Sequence, residues 1–137
     1  CRTYLLSNIL DFLHLIDLII IFIFVFRLYL GHNRISFVDK DAFNGVDRLI
    51  ELVDLEANKL QTVSSAFGRL QKLRYLYMSK NNISELPLEI FDSAICESLR
   101  AFKMASNNLD KYPSEILRKC RNLSHLDLGY NFITELR

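Results

Sequence analysis

The chain is poor in the residues that announce chemistry. Three cysteines, Cys1, Cys96 and Cys120, are too few and of the wrong parity for a disulfide framework. Three histidines, His14, His32 and His125, stand far apart. With four glycines in all, there is no phosphate-cradling or dinucleotide-binding glycine cluster. No nucleophile elbow or metal-ligand spacing occurs, and Asp39-Lys40-Asp41 is too sparse for a calcium loop. The expectation is no enzyme, no cofactor and no metal. Excess charge is missing too: 17 basic against 16 acidic residues give a formal net charge of +1. Bulk electrostatics therefore offers no reason to expect nucleic acid or an anionic membrane surface as partner.

What the chain has instead is apolar material laid out periodically. Half of its 137 residues are hydrophobic and 24% are charged, enough for the core of one domain. Asn8, Asn33, Asn58, Asn81, Asn107 and Asn131 follow one another at 25, 25, 23, 26 and 24 residues. Three before them stand Leu5, Leu30, Leu55, Met78, Met104 and Leu128; five before stand Thr3, Leu28, Val53, Leu76, Phe102 and Leu126. Eight before stand Val25, Ile50, Leu73, Leu99 and Leu123. Two after come Leu10, Ile35, Leu60, Ile83, Leu109 and Ile133, and five after come Leu13, Val38, Val63, Leu86, Tyr112 and Leu136. Only Thr3 breaks these columns, although composition alone would make each position a coin toss.

The residues ahead of each asparagine alternate apolar and polar, the period of a short half-buried strand. The asparagine falls where the chain leaves that strand. A buried turn there has backbone groups with no ladder partner, and a side-chain amide can both donate to and accept from them. Further on, Phe43, Phe67 and Phe91 recur nine or ten residues after their asparagines, as an apolar spine. Pro87 and Pro113 both lie six after theirs, where no strand N–H is needed. Stretches such as Asp39–Phe43 and Pro113–Lys119 have room for a helical or 3₁₀ turn only.

A fixed period in the twenties with this pattern resembles the leucine-rich repeat superfamily, over residues 25–137. The resemblance is carried by Leu73, Leu76, Met78, Asn81, Ile83 and Leu86-Pro87, written again in each turn. It implies an α/β solenoid, a horseshoe with a concave parallel β-sheet and short irregular or helical convex segments. The period of about 24, with Leu-Pro and then Phe after the asparagine, is similar to the typical class, common in extracellular and cell-surface recognition proteins. Leu86-Pro87-Leu88-Glu89-Ile90 instead matches the L-P-x-E-I phrase of the intracellular class, and Tyr112-Pro113-Ser114-Glu115-Ile116 nearly does. Val53, Met78 and Met104 depart from leucine but are swaps a core tolerates.

Residues 25–137 thus read as about five repeats without caps, and the whole as a piece of a longer protein. Residues 1–24 are read three ways: a degenerate first repeat with Asn8 in phase, a signal or membrane-like segment, or an aberrant stretch. The nine-residue apolar run Leu18–Phe26 is short for a membrane span, and no small-residue cleavage site follows it.

Stacked parallel strands bring equivalent residues into columns. Four before each asparagine the outward column reads Tyr4, Tyr29, Asp54, Tyr77, Lys103 and Asp127. Six before it reads Arg2, Arg27, Leu52, Tyr75, Ala101 and His125. Tyrosines among charges of both signs suit a protein-binding face. The expected partner-binding residues are Tyr29, Asp54, Tyr75, Tyr77, Lys103, His125 and Asp127. The plain alternative for any one of them is a solvated sheet surface. The partner expected is a protein, not a nucleic acid or small-molecule substrate; membrane association is left to other parts of the protein. Cys96 and Cys120 occupy one column, eleven before an asparagine. Small buried side chains are the default there, and a bridge between neighbouring turns is the alternative. Asn82-Ile83-Ser84 and Asn122-Leu123-Ser124 are glycosylation sequons. The function expected is protein recognition by a signalling or adhesive glycoprotein at the cell surface or outside the cell. The alternative is an intracellular, cytoplasmic scaffold.

Overall fold

The computed structural model describes residues 26–92 and 94–134. Asn8 and the segment 1–24 lie outside the described residues, as do positions 135–137.

Each repeat begins with a strand: β1 (Phe26–Tyr29), β2 (Ile50–Asp54), β3 (Tyr75–Tyr77), β4 (Ala101–Lys103) and β5 (His125–Asp127). They form one parallel sheet in chain order. The register follows the sequence columns: Leu28, Val53, Leu76, Phe102 and Leu126 align inward. One irregularity occurs. Phe26 pairs with Ile50 but Arg27 with Leu52, so Glu51 is an extra residue in β2.

Turning back from the sheet, the repeats differ. Residues 40–49 make successive turns, one of them at Gly45, whose φ of 83° suits a residue without Cβ. The next repeats use 3₁₀ turns, η1 (Ser65–Arg69) and η2 (Leu88–Asp92). The Ser64 side chain caps η1 by accepting from the Ala66 N–H. Short helices follow, α1 (Ile95–Ser98) and α2 (Ser114–Lys119). Phe43 and Phe67 pack at a tilt of 48° with ring centroids 5.4 Å apart, whereas Phe91 meets Phe102 of the sheet at 5.7 Å. The spine is thus real between its first two members and turns toward the strands at the third.

Burial shows how the coil holds together. In the middle repeats Val53, Leu60, Leu73, Leu76, Met78, Ile83, Leu99, Phe102 and Met104 are all fully inaccessible. Their equivalents in the outer described repeats, Leu28, Leu126, Leu128 and Ile133, are only partly buried. A repeat hides its apolar face on its neighbours, so the interior turns gain most.

The asparagines do what their position demands. Asn81 Nδ2 donates to the carbonyls of Met78 and Ser79 in its own turn and of Leu55 in the turn before, while its Oδ1 accepts from Leu60 N–H. Asn107 repeats this with Met104, Ala105, Met78 and Ile83, and Asn58 with Leu55, Glu56, Leu30 and Ile35. Asn131 does the same with Leu128, Gly129, Met104 and Leu109. Asn33 differs: it is exposed, and its side-chain amide donates to the carbonyls of Leu30 and Gly31 in its own turn. Among the described residues no buried side-chain nitrogen or oxygen is left without a partner.

The residue before each of these asparagines is left-handed: His32, Ala57, Lys80, Ser106 and Tyr130 have φ between 54° and 58°. None is glycine. That conformation aims the N–H of His32, Ala57, Lys80 and Ser106 along the stack at the carbonyls of Glu56, Ser79, Ala105 and Gly129. The strained backbone persists because these bonds between turns over-determine it.

Cys96 of α1 is bonded to Cys120, the residue after α2, across 24 positions. Both are buried, in keeping with the default, but as a cystine joining the last two described convex segments.

Two outcomes are expected in denaturant unfolding. Replacing Asn107 by Ala orphans one N–H and three carbonyls and should cost about 2–3 kcal/mol, while Asn33→Ala should cost less than about 1 kcal/mol. Equal losses at the two sites would refute the ladder. The C96S/C120S variant, or reduction with dithiothreitol, should lower stability by roughly 3 kcal/mol, the closure term for a loop of this length. Stability indifferent to reductant would show that the bond does not form.

Candidate functional site

The site is the outward face of the sheet, built by strand alternation. Inward residues fill the core, so residues at odd register positions must look the other way. Pairing places Arg27, Leu52, Tyr75, Ala101 and His125 in one row. Tyr29, Asp54, Tyr77, Lys103 and Asp127 form the parallel row. The structure therefore brings all seven expected partner-binding residues onto one surface.

Their environments differ. Tyr29 is 66% exposed at the β1 end. Tyr75 and Tyr77 are half-buried, 6.4 Å apart by ring centroid, and the Lys103 ammonium sits over the Tyr77 ring at 4.6 Å. An exposed cation over an aromatic face contributes about 0.5–1 kcal/mol and holds both groups in place. Leu52 and Ala101, the two row neighbours of Tyr75, are buried.

Asp54 and Asp127 have a second task. Asp54 Oδ1 accepts from the Glu56 N–H at 2.9 Å, and Asp127 Oδ1 from the Gly129 N–H at 3.0 Å. Each carboxylate closes a turn at its strand end, in the manner of an Asx turn. The sequence carries a signal for this, an aspartate two residues ahead of a turn position, which reading the column as a binding row alone misses.

Glu51 was also hidden in the sequence as a mere neighbour. As the extra residue of β2, it accepts from Arg27 at 3.1 Å and from Arg74 at 3.3 Å, and its side chain is only 14% exposed. Lys80 meets Glu56 at 2.8 Å. The hydrogen bond that Arg27 donates to Glu51, and then the Glu51 charge, raise the Arg27 pKa; the bond that Lys80 donates to Glu56, and then the Glu56 charge, raise that of Lys80. Bases with raised pKa values favour the fold below their ordinary range and lose that contribution only in strong alkali. These exposed pairs act within one end of the face and are screened by salt.

Ser124 Oγ lies 2.9 Å from His125 Nδ1, yet both are exposed and the hydroxyl also bonds the Arg100 carbonyl. Among the described residues no group of three His, Cys, Asp or Glu side chains could hold a metal ion. No described helix is long and apolar enough to cross a membrane. A groove of about 520 Å³ lies off the sheet, between the segments around Glu85 and Tyr112.

Comparison with known proteins gives concordant matches. Residues 26–92 match the family model described as leucine rich repeat. Over 110 residues the chain is 31% identical to lumican of Gallus gallus, covering 79% of this chain and 30% of that protein. It is 29% identical to fibromodulin of Sus scrofa over 108 residues, covering 79% and 69%. Decorin of Rattus norvegicus matches at 30% over 111 residues, covering 79% and 29%. The chain thus spans under a third of the length of lumican and decorin. Among solved structures, the leucine-rich repeat domain of APL1 superposes with a TM-score of 0.70 at 28% identity, covering 80% of this chain and 28% of that one. That of APL1B gives 0.74 at 24% identity, covering 97% and 37%, a likeness of fold.

Turn-closing and merely outward residues should part under mutation. Asp54→Ala should destabilise by about 1 kcal/mol through the unpartnered Glu56 N–H, whereas Tyr29→Ala, at a position already 66% exposed, should stay within about 0.5 kcal/mol, both read from urea midpoints. The reverse order would disprove the double role of Asp54.

Proposed function

From the chain's membership of the leucine-rich repeat superfamily, a superfamily of protein-interaction modules, we propose that it recognises a protein on its sheet face, outside the cell or at its surface. The observation that carries the reading is the aligned double row: Tyr75 and Tyr77 with Lys103 braced over the ring, on a face that no described element covers. Aromatic side chains fixed in place bury large area on contact at little entropic cost. Glu51 and its arginines occupy the β1 end, Asp54 and Asp127 are fixed by their turns, and the tyrosine pair lies between, as the centre of contact. Binding and not catalysis is the activity proposed.

The extracellular half rests on two supports. Lumican, fibromodulin and decorin are secreted proteins of the extracellular matrix. The Cys96–Cys120 bond belongs in an oxidising compartment. The intracellular reading keeps the Leu86-Pro87-Leu88-Glu89-Ile90 phrase and the similar Tyr112-Pro113-Ser114-Glu115-Ile116, whose Ile90 and Ile116 are buried residues of η2 and α2. Thiol state in protein taken from its native source separates the two.

The site is tested with the immobilised chain against a panel of extracellular-domain proteins, by biolayer interferometry. For any partner found, the Y75A/Y77A variant should bind at least tenfold more weakly, about 1.4 kcal/mol, while still melting in one cooperative transition only a few degrees lower. Unaltered affinity, or binding and fold lost together, would remove the tyrosine pair from the site.

A further inference from the structure

We infer that Asn82, and not Asn122, carries an N-linked oligosaccharide. The inference rests on the extracellular half of the proposed function and adds a modification site to it. Both residues open a sequon and both are exposed, so the sequence does not rank them. The hydrogen bonds do.

Asn82 belongs to the column directly after the ladder, Arg34, Lys59, Asn82, Asn108 and Phe132, every member of which is exposed. The backbone in this column is fixed, since the N–H groups of Lys59, Asn82, Asn108 and Phe132 donate to Ile35, Leu60, Ile83 and Leu109 of the preceding turn. A fixed backbone beside inward Asn81 and Ile83 forces the Asn82 side chain outward. Its amide makes no hydrogen bond with the described residues, and neither does the Ser84 hydroxyl two positions on. Both groups that the glycosylating enzyme must engage stand free, and a sugar there displaces no contact.

Asn122 is held. Its Nδ2 donates to the Glu97 carbonyl at 2.8 Å, and Ser124 Oγ bonds the Arg100 carbonyl at 3.1 Å. The Cys96–Cys120 bond ties the same two segments together, one residue from Glu97 and two from Asn122. Once it closes, the nitrogen that would accept the sugar is committed to the neighbouring turn.

The reaction needs a lipid-pyrophosphate-linked oligosaccharide, the donor in the secretory pathway. Asn82 Nδ2 attacks the anomeric carbon, the carbon–oxygen bond to the pyrophosphate breaks, and the lipid pyrophosphate departs with its electron pair. The nitrogen gives up one proton to the enzyme's base. The product sugar stands on the rim where the chain leaves the sheet, one residue from the ladder, so it borders the proposed contact face and does not occupy it.

The test expresses the chain in a eukaryotic secretory host behind a supplied, cleavable signal sequence, and measures intact mass before and after peptide N-glycosidase. Supplying the signal makes the result independent of the native compartment, which the thiol state addresses separately. The expected result is a single-glycan shift that N82Q and S84A each abolish and N122Q and S124A each retain, with N82Q melting at the unmodified protein's temperature. An unshifted parent chain, or a shift that survives N82Q and vanishes in N122Q, overturns the inference.

Discussion

The amide of the ladder asparagine is the constraint from which the rest of the molecule follows. A chain that leaves a strand beneath a neighbouring turn must bury carbonyls that no sheet partner reaches. One side chain meets three of them and supplies an acceptor to the turn before. Because its partners belong to two successive turns, the amide fixes their spacing and rotation as well as satisfying them. The left-handed residue just ahead of it is the backbone half of the same device. Neither half is stable without the other: the bend aims the amide, and the bonds between turns hold the bend.

With that corner fixed, the remaining architecture is repetition. Each strand repeats one spacing from its asparagine, so the inward columns mesh and the outward columns align. Stability is accordingly local in sequence and shared between neighbours. The gradient from wholly buried Leu76 and Met78 to half-buried Leu126 and Leu128 is that sharing made visible. The convex side is held less uniformly, by turns, 3₁₀ segments and short helices of different lengths. It is there, where shape repeats least, that a covalent bond joins two segments.

The sheet face shows how little freedom a repeat leaves to its surface. Asp54 and Asp127 are outward residues but also close the turns at their strand ends. Glu51 owes its two arginine partners to one additional residue in β2. Tyr75, Tyr77 and Lys103 have no such duty to the backbone; their contacts are with one another.

Periodicity by itself determined the fold, because a solenoid needs only contacts at a fixed separation, and a fixed separation is written directly into a sequence. The asparagines, the inward columns and the two outward rows were legible for that reason. The tertiary structure alone decided what depends on distance across turns: that Glu51 is the extra strand residue, that Lys103 lies over Tyr77, that Cys96 meets Cys120, and that Asn122 is held to Glu97. It also decided that Asn33 is exposed although its sequence surroundings match those of Asn81. Burial and pairing belong to the neighbouring turn as much as to the residue, and one turn's sequence says nothing about how closely the next will approach it.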